Sequence, residues 1–324
     1  MIEGAVAFAV TFALGFAARW AGPRVGALDR PEGDLKPHGR PVTYLGGISV
    51  AGGIFAGVAA GGNGNTVVML LRVLLPALAI GLIGDGFRAP PWLRLALQVG
   101  VLVALLPPEM RISLPGVGGG VALAGTVVLF VAAMNAVNMV DGMDGLVAGT
   151  SAISALGIAS VASISGQPWV VPIAVSAAAV AILIHNAPPA GLFLGDNGSY
   201  LLGAAMAAGI ALAGRSTPAL LGAISCLGLF WLDLILSLLR RLVRRVPLTS
   251  GDRGHFYDQL MGRGLSVKGT VVCCYALQGA FVYAGVLQSR LSERSAVVSF
   301  AVLWGVVVVA LFADRFVTHR PATS

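Results

Sequence analysis

Along almost its whole length the chain alternates long apolar runs with short polar loops. A helix needs about 20 apolar residues to cross the hydrocarbon core of a bilayer. Eleven runs approach that length: 3–21, 43–60, 66–83, 91–107, 120–137, 145–165, 168–187, 199–213, 218–239, 270–289 and 296–313. The 199–213 run is short and is expected to extend at one end. The turn-rich segment 109–119 between two runs predicts a small hairpin outside the membrane. The fold expected is therefore all-α, a polytopic membrane helical bundle of about eleven transmembrane helices. Composition agrees: 57% of residues are hydrophobic and only 11% charged, where a soluble domain carries about 25% charged residues. So few charges cannot solvate a globular surface, which argues against a soluble enzyme, a disordered chain and a nucleic-acid binder, despite the net charge of +7. Cys226, Cys273 and Cys274 lie in apolar runs without metal-type spacing and read as small buried hydrophobes. Glu3 stands where a secretory signal carries basic residues, so the first run reads as a span.

An odd number of spans places the termini on opposite sides. With the N-terminus outside and the C-terminus cytoplasmic, the inner loops are 22–42, 84–90, 138–144, 188–198 and 240–269, plus the tail. Of the 21 Lys and Arg residues, 16 lie in or beside those segments, and the positive-inside bias selects this orientation. Trp20, Trp92 and Trp169 fall near span ends, as an interfacial belt requires. The acids follow the same side. Only Glu3, Glu109 and Glu293 lie outside, and the other 11 of the 14 acids are cytoplasmic or, for Asp233, in the inner part of a span. Positive-inside makes no demand on carboxylates, so aspartates recurring on one face suggest a shared cation site.

Four loops carry the candidate chemistry. In Asn138-Met139-Val140-Asp141-Gly142-Met143-Asp144-Gly145, the two acids would share a face if the loop enters a helix, and they would repel unless a cation sat between them. Oxygen-only ligands suit Mg²⁺, with Mn²⁺ as the substitute, held by one or two carboxylates and substrate phosphate oxygens. Gly195-Asp196-Asn197-Gly198-Ser199 opens a run, where a Gly-flanked acid and free backbone N–H groups can approach a metal or a diphosphate. The alternative is that the three acids are ordinary helix caps, which would explain a turn but not a second acid beside the hydrocarbon boundary. The loop 29–47 holds Lys36 and His38 in a chain with only two lysines; Lys36 reads as a compact phosphate-binding ammonium or as a juxtamembrane charge. The loop 250–266 offers Arg253 and His255 after Arg240, Arg241, Arg244 and Arg245. Its donors would clamp a nucleotide diphosphate, or the arginines would set topology and meet anionic lipid. Asp85 directly follows the third run.

Taken together these loops resemble the polyprenyl-phosphate hexosamine-1-phosphate transferases, a membrane family that includes enzymes of peptidoglycan synthesis. The resemblance covers roughly 25–270 within a single integral membrane transferase domain spanning 1–324. It rests on Asp29-Arg30-Pro31, Lys36-Pro37-His38 and Gly46-Gly47; on Asn135 through Asp141-Gly142-Met143-Asp144-Gly145-Leu146; and on Asn186 through Pro189-Ala190 to Phe193-Leu194-Gly195-Asp196-Asn197-Gly198-Ser199. It implies transfer of a sugar-1-phosphate from a UDP-sugar to undecaprenyl phosphate, with release of UMP, on the cytoplasmic side of a bacterial inner membrane. It also implies Mg²⁺ at Asp196 with Asp141 and Asp144, catalytic roles for these three and Asp85, and substrate contacts from Lys36, His38, Asn138, Asn186, Arg253 and His255. A homodimer is compatible with it. Two positions depart from the family pattern. Gly84-Asp85 stands where the family has two adjacent aspartates, and His255-Phe256-Tyr257-Asp258 keeps only the first histidine of a histidine-rich motif. Two rivals are a catalytically silent relative that binds nucleotide or lipid, and a transporter for a lipid or anion. The transporter would place acids in mid-membrane or in discontinuous helices.

Overall fold

The computed structural model describes residues 1–29, 41–62, 64–87, 89–112, 114, 116–246 and 254–318. In lipid, a backbone must satisfy its own hydrogen bonds, and the apolar runs do so as helices: α1 (Ile2–Val25), α2 (Gly46–Ala60), α3 (Gly64–Phe87), α4 (Pro91–Leu105), α5 (Gly119–Val140), α6 (Leu146–Ile164), α7 (Val170–Asn186), α8 (Gly195–Ala213), α9 (Thr217–Ser225), α10 (Gly228–Arg244), α11 (Phe256–Gly262), α12 (Val267–Gln288) and α13 (Glu293–Ala313). Six of them, α1, α3, α5, α6, α12 and α13, are long and apolar enough to cross a membrane unaided. Helices α2, α4 and α7 are apolar but shorter. The short 199–213 run extends backward to Gly195. Segment 109–119 overlaps a 3₁₀ turn at Pro108–Met110, and its described residues form no strand. Among the described residues the one sheet pairs β1 (Leu28–Asp29) antiparallel with β2 (Val42–Thr43).

The 218–239 run is not one helix. It breaks between α9 and α10 with a bend of 74°. The cause lies in α12, where buried Gln278 donates to the carbonyl of Cys226 at 2.6 Å and accepts from Leu229 N–H at 2.9 Å. One side chain thus satisfies backbone groups that the break releases into an apolar interior. Beyond the break, α10 buries Asp233, Ser237 and Arg240 and exposes Leu238, Leu242 and Val243. Its polar stripe faces protein and its apolar stripe faces outward, as expected of a helix surrounded by lipid.

Helix α8, rich in Gly and Ala, is buried along nearly all its length and packs against α2, α3, α5, α6 and α7. Small residues allow such close crossings. At Gly81 of α3, a Cβ would lie 2.2 Å from the Asn197 Cα. That contact brings the end of α3 onto the start of α8, one turn before Asp85.

Candidate active site

Three connections meet at the end of the bundle formed by the C-terminal ends of α3, α5 and α7 and the start of α8. Phe193 N–H donates to the Thr43 carbonyl at 2.8 Å, and Gly46 N–H donates to the Phe193 carbonyl at 3.0 Å. Asn186 accepts from Gly145 N–H at 2.9 Å and donates to the Leu192 carbonyl at 2.9 Å. Its amide is thereby committed to bracing two loops. The Asp144 carboxylate accepts from Ala190 N–H at 2.9 Å, and Tyr275 donates to the Gly145 carbonyl at 2.6 Å. Gly145 and Gly195 both adopt left-handed φ, at 78° and 68°, a conformation that glycine adopts without steric cost.

Asp196 lies in the first turn of α8, where the helix dipole favours an anion. Its Oδ1 accepts from Asn138 Nδ2 at 2.7 Å, and Asn138 also reaches Ser199 Oγ at 2.9 Å. Its Oδ2 forms an ion pair with Arg94 from the first turns of α4. Asp85 sits behind it: the Asp85 carboxylate accepts from the N–H groups of Asp196 and Asn197 at 2.9 and 3.2 Å, and from Asn197 Nδ2 at 2.7 Å. Asp85 therefore caps α8 and fixes the backbone that carries Asp196.

Asp141 and Asp144 do not share a helical face. Asp141 ends α5, Gly145 precedes α6, and the acids occupy the turn between. Burial pushes the Asp141 carboxyl up to about 8, helped by the charges of Asp196, Asp85 and Asp144. Four carboxylates thus feel one another, and among the described residues Arg94 is the one cationic side chain at ion-pair distance from any of them. The all-oxygen donor set and the excess negative charge fit a hard divalent cation. No three His, Cys, Asp or Glu side chains among the described residues converge as a preformed cage. A site with one or two carboxylates that leaves its remaining positions to water or phosphate matches Mg²⁺.

On the other side of the acid turn, His255 precedes α11. Its Nδ1 lies 2.7 Å from Asp233 Oδ2, and Phe256 N–H donates to Asp233 Oδ1 at 2.7 Å. The His255 ring stacks on Tyr257 with centroids 5.6 Å apart. A Cβ on Gly142 would lie 2.0 Å from the Tyr257 hydroxyl, so this stack abuts the turn between Asp141 and Asp144. Burial and the charges of Asp258, Asp233 and Asp141 raise the pKa of the Tyr257 hydroxyl and keep it protonated. Arg240 is buried and donates to the Gly254 carbonyl. It anchors the His255 segment, whereas the sequence had grouped it with arginines for lipid or nucleotide.

The structure thus brings Asp85, Asn138, Asp141, Asp144, Asn186 and Asp196 to one end of the bundle, with His255 bordering the acid turn through Tyr257. Lys36, His38 and Arg253 lie outside the described residues. Sequence reasoning missed Arg94, which it counted only as a topological charge, and gave Asp233, Asn197 and Tyr257 no task. An acid so deep in an apolar run was the available signal for Asp233. At Gly84, a Cβ would lie 2.8 Å from Asp196 Oδ2 and 3.3 Å from Arg94 Cδ, so the Arg94–Asp196 pair occupies the space a side chain would take.

An apolar cleft of about 290 Å³ adjoins this end, lined by Leu95, Val99, Val127, Val131, Asn135 and Leu234 among others. Leu95 follows Arg94, Asn135 lies one turn before Asn138, and Leu234 follows Asp233. Comparison with known proteins finds similarity over this part of the chain. The profile of glycosyl transferase family 4 matches residues 67–214, a stretch that holds Asp85, Arg94, Asn138, Asp141, Asp144 and Asp196. A Bacillus subtilis protein named probable undecaprenyl-phosphate N-acetylglucosaminyl 1-phosphate transferase is 27% identical over 305 residues, covering 89% of this chain and 84% of that protein. A Mycobacterium tuberculosis decaprenyl-phosphate N-acetylglucosaminephosphotransferase is 27% identical over 157 residues, 44% of this chain and 38% of that protein. The bundle is that of a multi-pass membrane protein, and the relatives it resembles are named as transferases. The chain is similar to glycosyl transferase family 4 across residues 67–214 and to the Bacillus subtilis protein along most of its length.

Proposed function

We propose that the protein transfers a sugar-1-phosphate, an N-acetylhexosamine-1-phosphate in our reading, from a UDP-sugar to undecaprenyl phosphate. An acceptor phosphate oxygen attacks the sugar-bearing phosphorus, the bond to UMP breaks, and the products are UMP and a lipid diphosphate sugar. The observation that supports this most is the cluster of four carboxylates with one paired arginine beside an apolar cleft. Two anionic phosphates can meet at an acidic site only if cations offset the repulsion.

Asp196 would hold Mg²⁺, with Asp141 and Asp144 in the same metal and nucleotide pocket; when bound the ion would neutralise phosphate charge and polarise the reacting phosphorus. Asn138 orients Asp196. Asp85 fixes the backbone of Asp196. Lys36, His38, Arg253 and His255 are assigned to the substrates' anionic groups, and the cleft to the first part of the polyprenyl tail. The distribution of 16 of 21 basic residues to one side supports eleven crossings with the N-terminus outside, and a site facing the cytoplasm of a bacterial inner membrane, where UDP-sugars are found.

The test is UMP release by purified protein given undecaprenyl phosphate, Mg²⁺ and a panel of UDP-sugars, with EDTA as the metal control. Turnover with one or more UDP-N-acetylhexosamines, lost in EDTA and restored by Mg²⁺ or Mn²⁺, is expected. No UMP from any donor, while a known transferase works alongside, would overturn the assignment.

A further inference from the structure

One buried acid has no task in this scheme. Asp233 is 1% exposed on α10, and a carboxylate so placed is costly unless its oxygens are satisfied. Both are: Oδ2 by His255 Nδ1 and Oδ1 by Phe256 N–H, each at 2.7 Å. An ionised carboxylate only accepts hydrogen bonds, so Nδ1 must carry the proton. Any contact of the imidazole with a substrate then runs through Nε2. The ring is held on a second side by Tyr257, 6° from parallel, whose hydroxyl lies against Gly142 of the acid turn. The backbone just before His255 has its own anchors, since Arg240 and Gln259 both donate to the Gly254 carbonyl. The Asp233–His255 bond is therefore available to set the side chain's tautomer and direction, separately from holding the loop.

We propose that Asp233 is a positioning residue, which holds the proton on Nδ1 of His255 and the imidazole on Tyr257 beside the acid turn so that, in the protonated ring, Nε2–H donates to the diphosphate of the donor. The role as stated rests on the sugar-phosphate transfer reading. A carboxylate that orients a histidine in this way is worth roughly 10- to 100-fold in function elsewhere.

Two measurements test it on the full-length protein in nanodiscs. The first is ¹⁵N NMR of protein labelled at its four histidines, with the His255 signal identified by its loss in His255→Asn. At a pH where the ring is neutral, wild type should show the Nδ1–H tautomer, and Asp233→Asn should shift the population several-fold toward Nε2–H. A wild-type ring protonated at Nε2, or one unmoved by Asp233→Asn, would overturn the proposal. The second is a double-mutant cycle on UMP release. Asp233→Asn and His255→Asn should each lower kcat/KM by roughly 10- to 100-fold, and together no further than about twofold below the weaker single variant. Asp233→Glu should recover part of the loss. Losses that multiply would show that Asp233 acts elsewhere and sink the proposal. If Asp233→Asn does not fold, the wild-type tautomer still decides. A wild type that turns over no donor would fail the transfer reading, and the spectra would then judge the positioning role by themselves.

Discussion

At the end of the bundle where α9 begins, polar groups are matched with local partners. Thr217 donates to Glu293 at 2.6 Å, and Arg215 donates to the carbonyl oxygens of Glu109 and Arg111. At the opposite end, Asp85, Asp141, Asp144 and Asp196 influence one another while Arg94 supplies the paired cation among the described residues. Both ends join the same kinds of apolar helices, so helix composition does not explain the difference. Charge without a matching cation among the described residues is expensive near a low-dielectric interior, and its persistence at one end marks where charged ligands are to be received.

The strongest way to break that contrast is to remove one acid. Asp196→Asn keeps the shape and the Asn138 contact but loses the charge, and should lower turnover by about 10³-fold, the scale of a lost electrostatic stabiliser. UMP release and thermal stability in detergent would be measured together, and near-normal turnover would contradict the metal role.

Acidity offers the next test. The Asp141 carboxyl is raised to about 8 by burial and by its acidic neighbours, so below that pH it is mostly protonated and a cation must displace the proton. Apparent Mn²⁺ affinity should then rise about tenfold per pH unit from 6 towards 8 and level off above. Calorimetry in buffers of different ionisation enthalpy reads the released proton, and Asp141→Asn should flatten the profile.

Steric changes come third. In Gly142→Ala the new methyl meets the Tyr257 hydroxyl, forcing a shift that costs about 1–3 kcal/mol. Turnover should fall by roughly tenfold or more, and Gly120→Ala, which meets nothing within 4 Å, should leave it unchanged. Gly84→Asp should also lower activity, by about tenfold, because the added carboxylate would crowd Asp196 and compete for Arg94. A large rise from a silent baseline would instead favour the inactive-relative reading. The smallest effect belongs to the opposite end. Thr217→Val removes an exposed hydrogen bond and should cost at most about 1 kcal/mol, with UMP release unchanged.

Much of this site was legible before any coordinates. Asp196 beside Gly195 at a helix start, and Asp141 and Asp144 in a Gly-bounded turn, announce themselves because glycine and acid have few other reasons to recur at the edge of hydrocarbon. Arg94 was not legible, since an arginine near a span end is usually a topological charge. Its meaning comes from α4 and α8, 102 residues apart in sequence, meeting in space. The break between α9 and α10 was hidden for the same reason. The residues at the break, Cys226-Leu227-Gly228, are apolar, and the polar partner of the break is Gln278 of another helix.

What the sequence determined by itself is the environment and the inventory. Apolar runs of spanning length leave a chain no stable option in lipid except helices, and the placement of charge between them names the face that does chemistry. The tertiary structure alone decided the pairings: Asp85 as the cap of α8, Asn186 as a loop brace, Arg240 as an anchor, and Asp233 behind His255. Hydropathy is a property of each segment and can be read along the chain. Hydrogen bonds between side chains far apart in sequence depend on which helices cross and at what register, and that is fixed only when the whole bundle closes around α8.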